Sequence, residues 1–394
     1  MKKIGILTQY YKSINFGGNL QAYALCKVLN KNGYQAEQIC HPIANIAKTK
    51  KRGIFERVRK RGIVKTGLIF AKIILRKPLQ IVKNKLIKRE IKKHDFIDRR
   101  AKAFEYFNTQ VIPHSENVYT CDNINECTSD YDVFITGSDQ VWNMNWYRPE
   151  WFLEFVHGKP KIAYAASLAS DKITEKQSTV IKEHLKDFTA VSIREKKLVE
   201  RVKELSPVGA EYVLDPTLLL SDEEWNEVCA DRVISEKYVF CYFLGVNKNS
   251  RKIAEQFAKE RGLILVNIPH AGGTAKLVDR KFGDEKLYDT SPEQFLSLIK
   301  NAEYVFTDSF HAVVFSNIYK KQYFVFNRSK KGEMSSRIVD ITNLFNSTER
   351  FCVTKECENI KYINKLQDVD YTIENKEFDV LKDKSIKFLT ENIR

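Results

Sequence analysis

Short apolar runs that stop at small polar residues recur along this chain. Ile4 to Leu7 reads as a first strand, closed by the polar loop Thr8 to Asn15. From about Asn19 to Asn32, Leu20, Ala24, Val28 and Leu29 share one buried helical face, and Gly33 suits the stop. Tyr34 to Cys40 reads as a second strand. Val133 to Ile135, Lys161 to Ala166, Ala190 to Ile193 and Glu211 to Leu214 repeat the pattern. Their polar ends are Gly137-Ser138-Asp139-Gln140, Ser167, Arg194-Glu195 and Asp215. Ser221 to Glu224 has capping-box spacing, and a second set of elements follows. Strands are expected at Tyr238 to Leu244, Leu263 to Ile268, Tyr304 to Thr307 and Tyr323 to Asn327, with helices at Ser250 to Arg261 and Ser291 to Lys300. Alternation of this kind predicts an α/β protein: two doubly wound Rossmann-like domains facing a cleft, a GT-B-like arrangement. The boundaries are placed at 1–220 and 221–375, with a last helix within 376–394 returning to the first domain.

Composition agrees with two domains: 394 residues, 43% hydrophobic and 29% charged, are enough for sizeable cores. The chain has no apolar run of about 18 residues, and its N-terminal apolar run is too short for a signal peptide, so a cytoplasmic protein is expected. The eight cysteines are scattered without a C-x-x-C pair, which reads as reduced thiols and no zinc spacing. The formal charge of +15 is concentrated. Lys48 to Lys102 holds 21 Lys and Arg against 4 Asp and Glu, or +17, and the remainder is near neutral at −2. A basic face across a whole domain is absent, so no nucleic-acid partner is expected. The basic segment, about 48–107, predicts one or two long helices inserted in the first domain. They form either a solvated face or an amphipathic surface for an anionic membrane, which would place the protein peripherally on the inner membrane face.

The densest chemistry lies at Tyr304-Val305-Phe306-Thr307-Asp308-Ser309-Phe310-His311. A strand ends there and a helix begins, so Asp308, Ser309 and His311 sit where open α/β sheets bind ligands and where helix N–H groups favour anions. Gly17 and Gly18 allow a close backbone approach or cap a helix, and Asn15 and Asn19 face the same expected cleft.

These motifs, in this order, resemble the polysaccharide pyruvyl transferase family. The resemblance runs through Gly17-Gly18-Asn19-Leu20-Gln21, Gly137 to Asn143, Ala163 to Ser167, Ser192 to Glu195, Asp215-Pro216-Thr217 and Asp308 to His311. It implies transfer of enolpyruvyl from phosphoenolpyruvate to two hydroxyls of one sugar, giving a pyruvate ketal on a glycan or lipid-linked oligosaccharide and releasing phosphate. It implies no metal and no cofactor beyond the donor substrate, and a role in cell-surface or capsular polysaccharide biosynthesis. Arg194 matches the family's arginine. The basic residue often found two positions before the histidine is Ser309 here, and the glycine often found after it is Ala312.

A doubly anionic donor needs concentrated positive charge, which a guanidinium fork supplies. Arg194 is the expected anion ligand, or else a structural salt bridge. Arg328 and Arg337 either replace the basic residue missing at Ser309 or face water. His311 is the expected acid for the enol methylene, because an imidazole exchanges protons near neutrality. Asp308 orients it or caps the helix. Asp139 is a candidate base or sugar ligand, or an Asx turn, with Gln140, Trp142 and Asn143 gripping the sugar. Two other functions fit such a fold: a sugar-nucleotide-dependent glycosyltransferase and a non-catalytic glycan-assembly binding protein.

Overall fold

The computed structural model describes residues 1–42, 96–270, 277–328, 336–354 and 356–393. Thirteen strands form two wholly parallel sheets among these residues. The first contains β1 (Lys3–Leu7), β2 (Gln35–Cys40), β3 (His114–Val118), β4 (Val133–Thr136), β5 (Lys161–Ala166), β6 (Ala190–Ile193) and β7 (Glu211–Tyr212), in the order β3-β2-β1-β4-β5-β6-β7. The second contains β8 (Tyr238–Tyr242), β9 (Ile264–Asn267), β10 (Glu285–Lys286), β11 (Tyr304–Thr307), β12 (Gln322–Phe326) and β13 (Phe351–Cys352), in the order β10-β9-β8-β11-β12-β13. Central strands such as β4 and β8 are buried along their whole length, which is why they read as unbroken apolar runs. This is the expected two-domain Rossmann-like architecture.

Helices of eight residues or more are numbered α1 (Phe16–Lys31), α2 (Phe96–Tyr106), α3 (Glu175–His184), α4 (Lys248–Glu260), α5 (Pro292–Lys300), α6 (Phe310–Ile318), α7 (Ser336–Leu344) and α8 (Lys376–Asn392). Each sheet reverses its strand order once. β1 has β2 on one side and β4 on the other, and β8 has β9 and β11. The register sets Leu7 beside Thr136 and Tyr242 beside Thr307, so the loops leaving each pair open side by side. Such switch points are where doubly wound sheets bind ligands.

The halves share a core beneath these loops. The Phe16 ring stacks on Phe295 at 4.5 Å and meets Tyr242 at 5.6 Å and Phe104 at 4.9 Å. Trp225 bridges Tyr23 at 5.6 Å and Phe315 at 4.9 Å.

Three features differ from the sequence expectation or lie beyond it. First, α1 begins at Phe16, three residues early, so Gly17 and Gly18 occupy its first turn and not the preceding loop. Second, most of the basic insert lies outside the described residues. Its described end, α2, is not simply a solvated face: Arg100 is buried and donates to Pro269 O at 3.3 Å and Leu287 O at 3.5 Å, in the loops of the second sheet. Third, β3, β10, β13, α3 and α7 lie beyond the sequence expectation. The strands lie at or beside sheet edges, and His114 to Val118 carries no apolar run to mark it. The last helix, α8, lies against the first sheet's connections, where Ser385 Oγ accepts from Leu214 N at 3.0 Å and Lys2 Nζ donates to Ile393 O at 2.7 Å. No helix among the described residues is long and apolar enough to cross a membrane.

Candidate active site

Gly137 turns the chain sharply after β4. Its φ is +142°, and a Cβ there would lie 1.9 Å from Tyr164 O, so only glycine is accommodated. That turn delivers Ser138 and Asp139 to the sheet's C-terminal edge. β6 delivers Arg194, and the segment after β7 delivers Asp215. All four are buried.

The Arg194 fork spans both carboxylates. Nη2 donates to Asp139 Oδ1 at 2.9 Å and Ser167 Oγ at 3.1 Å, and Nη1 donates to Asp215 Oδ2. Asp215 Oδ1 accepts from Thr217 Oγ1 at 2.7 Å and Thr217 N at 3.1 Å, and the Ser138 hydroxyl lies 3.1 Å from Asp215 Oδ2. Asn15 Nδ2 donates to Asp139 Oδ2 at 3.1 Å. Phe310 covers the guanidinium of Arg194 at 4.7 Å.

The second sheet supplies the opposite wall. His311, in the first turn of α6, brings Nε2 to 3.8 Å from Asp215 Oδ2. Its ring lies on Gly17, where a Cβ would come 1.9 Å from Nδ1. Arg337, on α7, is buried and places Nη1 3.8 Å from Asp139 Oδ1, with its guanidinium 5.6 Å from the Phe310 ring. It makes no hydrogen bond to any described residue, and its Nε is buried without a partner.

The electrostatics follow from these contacts. Burial raises the Asp139 carboxyl, but Arg194, His311 and Arg337 outweigh it and hold it below its ordinary value. Burial is likewise outweighed at Asp215, which Arg194 and His311 hold far below the carboxylate range. Burial would lower Arg194, but Asp215 and Asp139 more than compensate and raise it. At Arg337 the compensation falls short: burial first, then the charge of Arg194, outweigh Glu195 and Asp139 and bring it down to about 10. Both arginines bury an Nε without a partner, but Arg194 spends its other nitrogens on two carboxylates and a hydroxyl, whereas Arg337 donates to no described residue.

The remaining sequence candidates divide. Asp308 neither orients His311 nor caps α6. Its two oxygens accept Leu244 N and Gly245 N, both at 2.6 Å, and this ties the β11 loop to the β8 loop. Asp215 takes the place beside the imidazole. Trp142 is not a sugar platform: it is 1% exposed, stacks on Phe152 at 5.1 Å and donates Nε1–H to Trp151 O. Asn143 Nδ2 donates to Gln140 Oε1 at 3.0 Å, and Asn143 Oδ1 accepts Asn145 N at 3.0 Å, so this pair shapes the turn after Asp139. Asn19 is wholly buried and braces the loop through Ser13 O and Asn15 O. A Cβ on Gly18 would meet Gln9 O at 3.0 Å, so that glycine serves loop packing. Ser309 is the N-cap of α6 but makes no side-chain cap bond, and its N–H donates to Thr307 Oγ1 at 3.0 Å. Arg328 is partly exposed and donates Nη2–H to Asp308 O at 3.0 Å.

Residues 15–330 match the family described as polysaccharide pyruvyl transferase. No curated protein matches significantly. Among solved structures, the UDP-GlcNAc 2-epimerase of Methanocaldococcus jannaschii is similar with a TM-score of 0.53 and 11% identity, over 99% of each chain. Staphylococcus aureus MnaA, solved with UDP, gives 0.50 and 10% over 100% of this chain and 97% of that one. The Neisseria meningitidis epimerase bound to UDP-GlcNAc gives 0.50 and 9%, over 100% and 99%. At such identities the likeness concerns the fold alone.

Proposed function

The chain belongs to the polysaccharide pyruvyl transferase family, and from that premise we propose that it transfers enolpyruvyl from phosphoenolpyruvate to two hydroxyls of a glycan sugar. A pyruvate ketal forms and phosphate leaves. The observation that carries this reading is Arg337, a buried guanidinium with no hydrogen bond to any described residue, 3.8 Å from the Asp139 carboxylate at the edge of the first sheet. A buried charge that its partners compensate only in part carries a standing cost. A carboxylate or phosphate bound there removes that cost, and a guanidinium fork suits either group. Arg337 thereby supplies the positive charge absent at Ser309, while Arg194 holds Asp139 and Asp215 in place.

In this reading His311 protonates the methylene carbon of the donor, and positive charge develops at the neighbouring carbon. Asp215, 3.8 Å from Nε2, orients the imidazole for the transfer. One sugar hydroxyl adds to the cationic carbon and yields its proton to Asp139 or to the now neutral His311. The carbon–oxygen bond to phosphate then breaks, the second hydroxyl adds, and its proton leaves with phosphate. Two carbon–oxygen bonds form, one breaks, and the two hydroxyl protons account for the new methyl hydrogen and the proton on phosphate. The acceptor is a glycan, presented on a lipid carrier at the inner face of the membrane.

The test is thermal stabilisation of the full chain. Phosphoenolpyruvate at a hundred times its Kd contributes about 2.7 kcal/mol. It should raise Tm in the parent, much less in Arg337→Ala, and partly in Arg337→Lys. UDP-GlcNAc should not raise it. Incubation with lipid-linked oligosaccharides and mass spectrometry then identifies the ketal. Stabilisation by UDP-GlcNAc with none by phosphoenolpyruvate would reject pyruvyl transfer in favour of sugar-nucleotide chemistry.

A further inference from the structure

A second cluster of chemistry lies away from the acid–arginine site, beyond the outer strands of the first sheet. His41 follows β2, Cys121 lies just past β3, and Glu150 belongs to the short turn Pro149–Phe152. One ligand atom from each lies within 4.8 Å of the others. The His41 ring is 1% exposed and meets Trp151 edge-on at 5.4 Å. Its Nδ1 is 2.8 Å from Tyr119 O, which fixes the proton on that nitrogen and leaves the Nε2 lone pair free. Nε2 is buried without a partner, and so is Glu150 Oε2. Arg148 Nη2 donates to Cys121 Sγ and lies 3.4 Å from Glu150 Oε1, and its Nη1 is buried without a partner.

We propose that His41, Cys121 and Glu150 form a three-ligand site for a divalent, borderline-soft cation, Zn²⁺ by preference. One nitrogen, one sulfur and one oxygen donor make a set zinc accepts, with water in the fourth position. The Nδ1–H to carbonyl bond behind His41 is the outer-shell support that ligating histidines ordinarily have. Donor atoms around one tetrahedral zinc stand about 3.5 Å apart. The set must therefore close by about 1 Å, which rotations of Cys121 and Glu150 provide. Arg148 swings out toward solvent as the ion enters, so a dication replaces a monocation among the same anionic groups. Cys121 is exposed, which gives the ion an entry path, and it gives up its thiol proton on binding. The function is structural: the ion joins the ends of β2 and β3 to the turn that follows the catalytic loop of β4.

The experiment uses the full chain, stripped with a chelator and titrated with Co²⁺ as a spectroscopic probe. One equivalent should bind with a thiolate-to-cobalt band in the near ultraviolet, and Zn²⁺ should displace it. Cys121→Ser, at an exposed position that leaves folding intact, should lose the band. His41→Gln should weaken binding at least tenfold. Arg148→Ala should bind as tightly or more tightly, because a competing cation is gone. Zn²⁺ should raise Tm in the parent and not in Cys121→Ser. A thiolate band that persists in Cys121→Ser, or the lack of stoichiometric binding by the parent, overturns the site.

Discussion

The packing of His311 on Gly17 allows a sharp test of the acid's position. In Gly17→Ala the new Cβ would lie 1.9 Å from His311 Nδ1 and 2.4 Å from both Cε1 and Cγ. Ordinary contact needs about 3.5 Å, so the ring must retreat by about 1.5 Å. The backbone of α1 cannot yield easily, because Phe16 beside it is locked among Phe295, Tyr242 and Phe104. A reacting group misplaced by about 1 Å costs on the order of 100-fold in rate, and overpacking a tight site costs about 1–3 kcal/mol. Phosphate release from phosphoenolpyruvate with acceptor present, measured beside urea unfolding, separates the two effects. Gly17→Ala should lose about 100-fold in kcat while losing only that modest stability. In a His311→Ala background the stability loss should largely vanish, because the alanine leaves room for the added methyl. Gly18→Ala, whose Cβ meets nothing closer than 3.0 Å, should stay within about tenfold of the parent. Near-normal kcat in Gly17→Ala, or the same stability loss with and without His311, would refute the proposed contact and its catalytic use.

Three further outcomes are expected. Asp215 is depressed in the folded protein, so the folded state binds fewer protons there than the unfolded chain, whose aspartates titrate near about 3.9. Its contribution is complete above that pH and is lost on acidification. Asp215→Asn should cost about 3–5 kcal/mol at pH 7, a gap that narrows in urea titrations below about pH 4; a constant gap down to pH 3 counts against the linkage. Trp142→Phe should lower stability, through the lost stacking and the Nε1–H bond to Trp151 O, while acceptor KM changes less than twofold; a large KM change would restore Trp142 as a sugar contact. The +17 segment between Lys48 and Lys102 should sediment the protein with vesicles containing about 30% anionic lipid at low salt and release it near about 0.5 M NaCl, and equal binding to neutral vesicles would exclude an electrostatic role.

The sequence disclosed the architecture because its central strands are buried on both faces and so appear as apolar runs. Edge strands such as Glu285–Lys286 and Phe351–Cys352 are too short to leave that trace. Candidate chemistry was legible where a polar group follows a strand, which brought out Asp139, Arg194 and His311. The partnering of those groups was not legible. Asp308 and Asp215 look alike in sequence, each an acid at a strand end, and only the backbone path decides that one holds the N–H groups of Leu244 and Gly245 while the other meets the imidazole. Asp215 belongs to a recognised Asp-Pro-Thr motif, so the signal was present without its assignment. The zinc spacing rule missed His41, Cys121 and Glu150 because donors from three separate loops have no fixed interval.

On the proposed reading, Arg337 keeps the site's chemistry where a motif position has changed. The residue two places before His311 is a serine, so that turn contributes no positive side chain. A helix at a distant point in the chain enters the same space and brings a guanidinium to within 3.8 Å of Asp139. The recruit is physically distinct from Arg194. Arg194 has two carboxylates and a hydroxyl around it, so its charge is spent on rigidity. Among the described residues Arg337 has the longer approach to Asp139 and the Phe310 ring at 5.6 Å, and burial has already weakened its hold on its proton. An incoming anion gains most from the second kind of arginine, because its desolvation is paid before the ligand arrives. The preorganised carboxylate pair then prevents that cation from collapsing onto the protein itself, since Asp139 is already committed to Arg194 and Asn15. Charge requirement in this cleft is thus a property of the space between the two sheets, and any element that reaches that space can meet it.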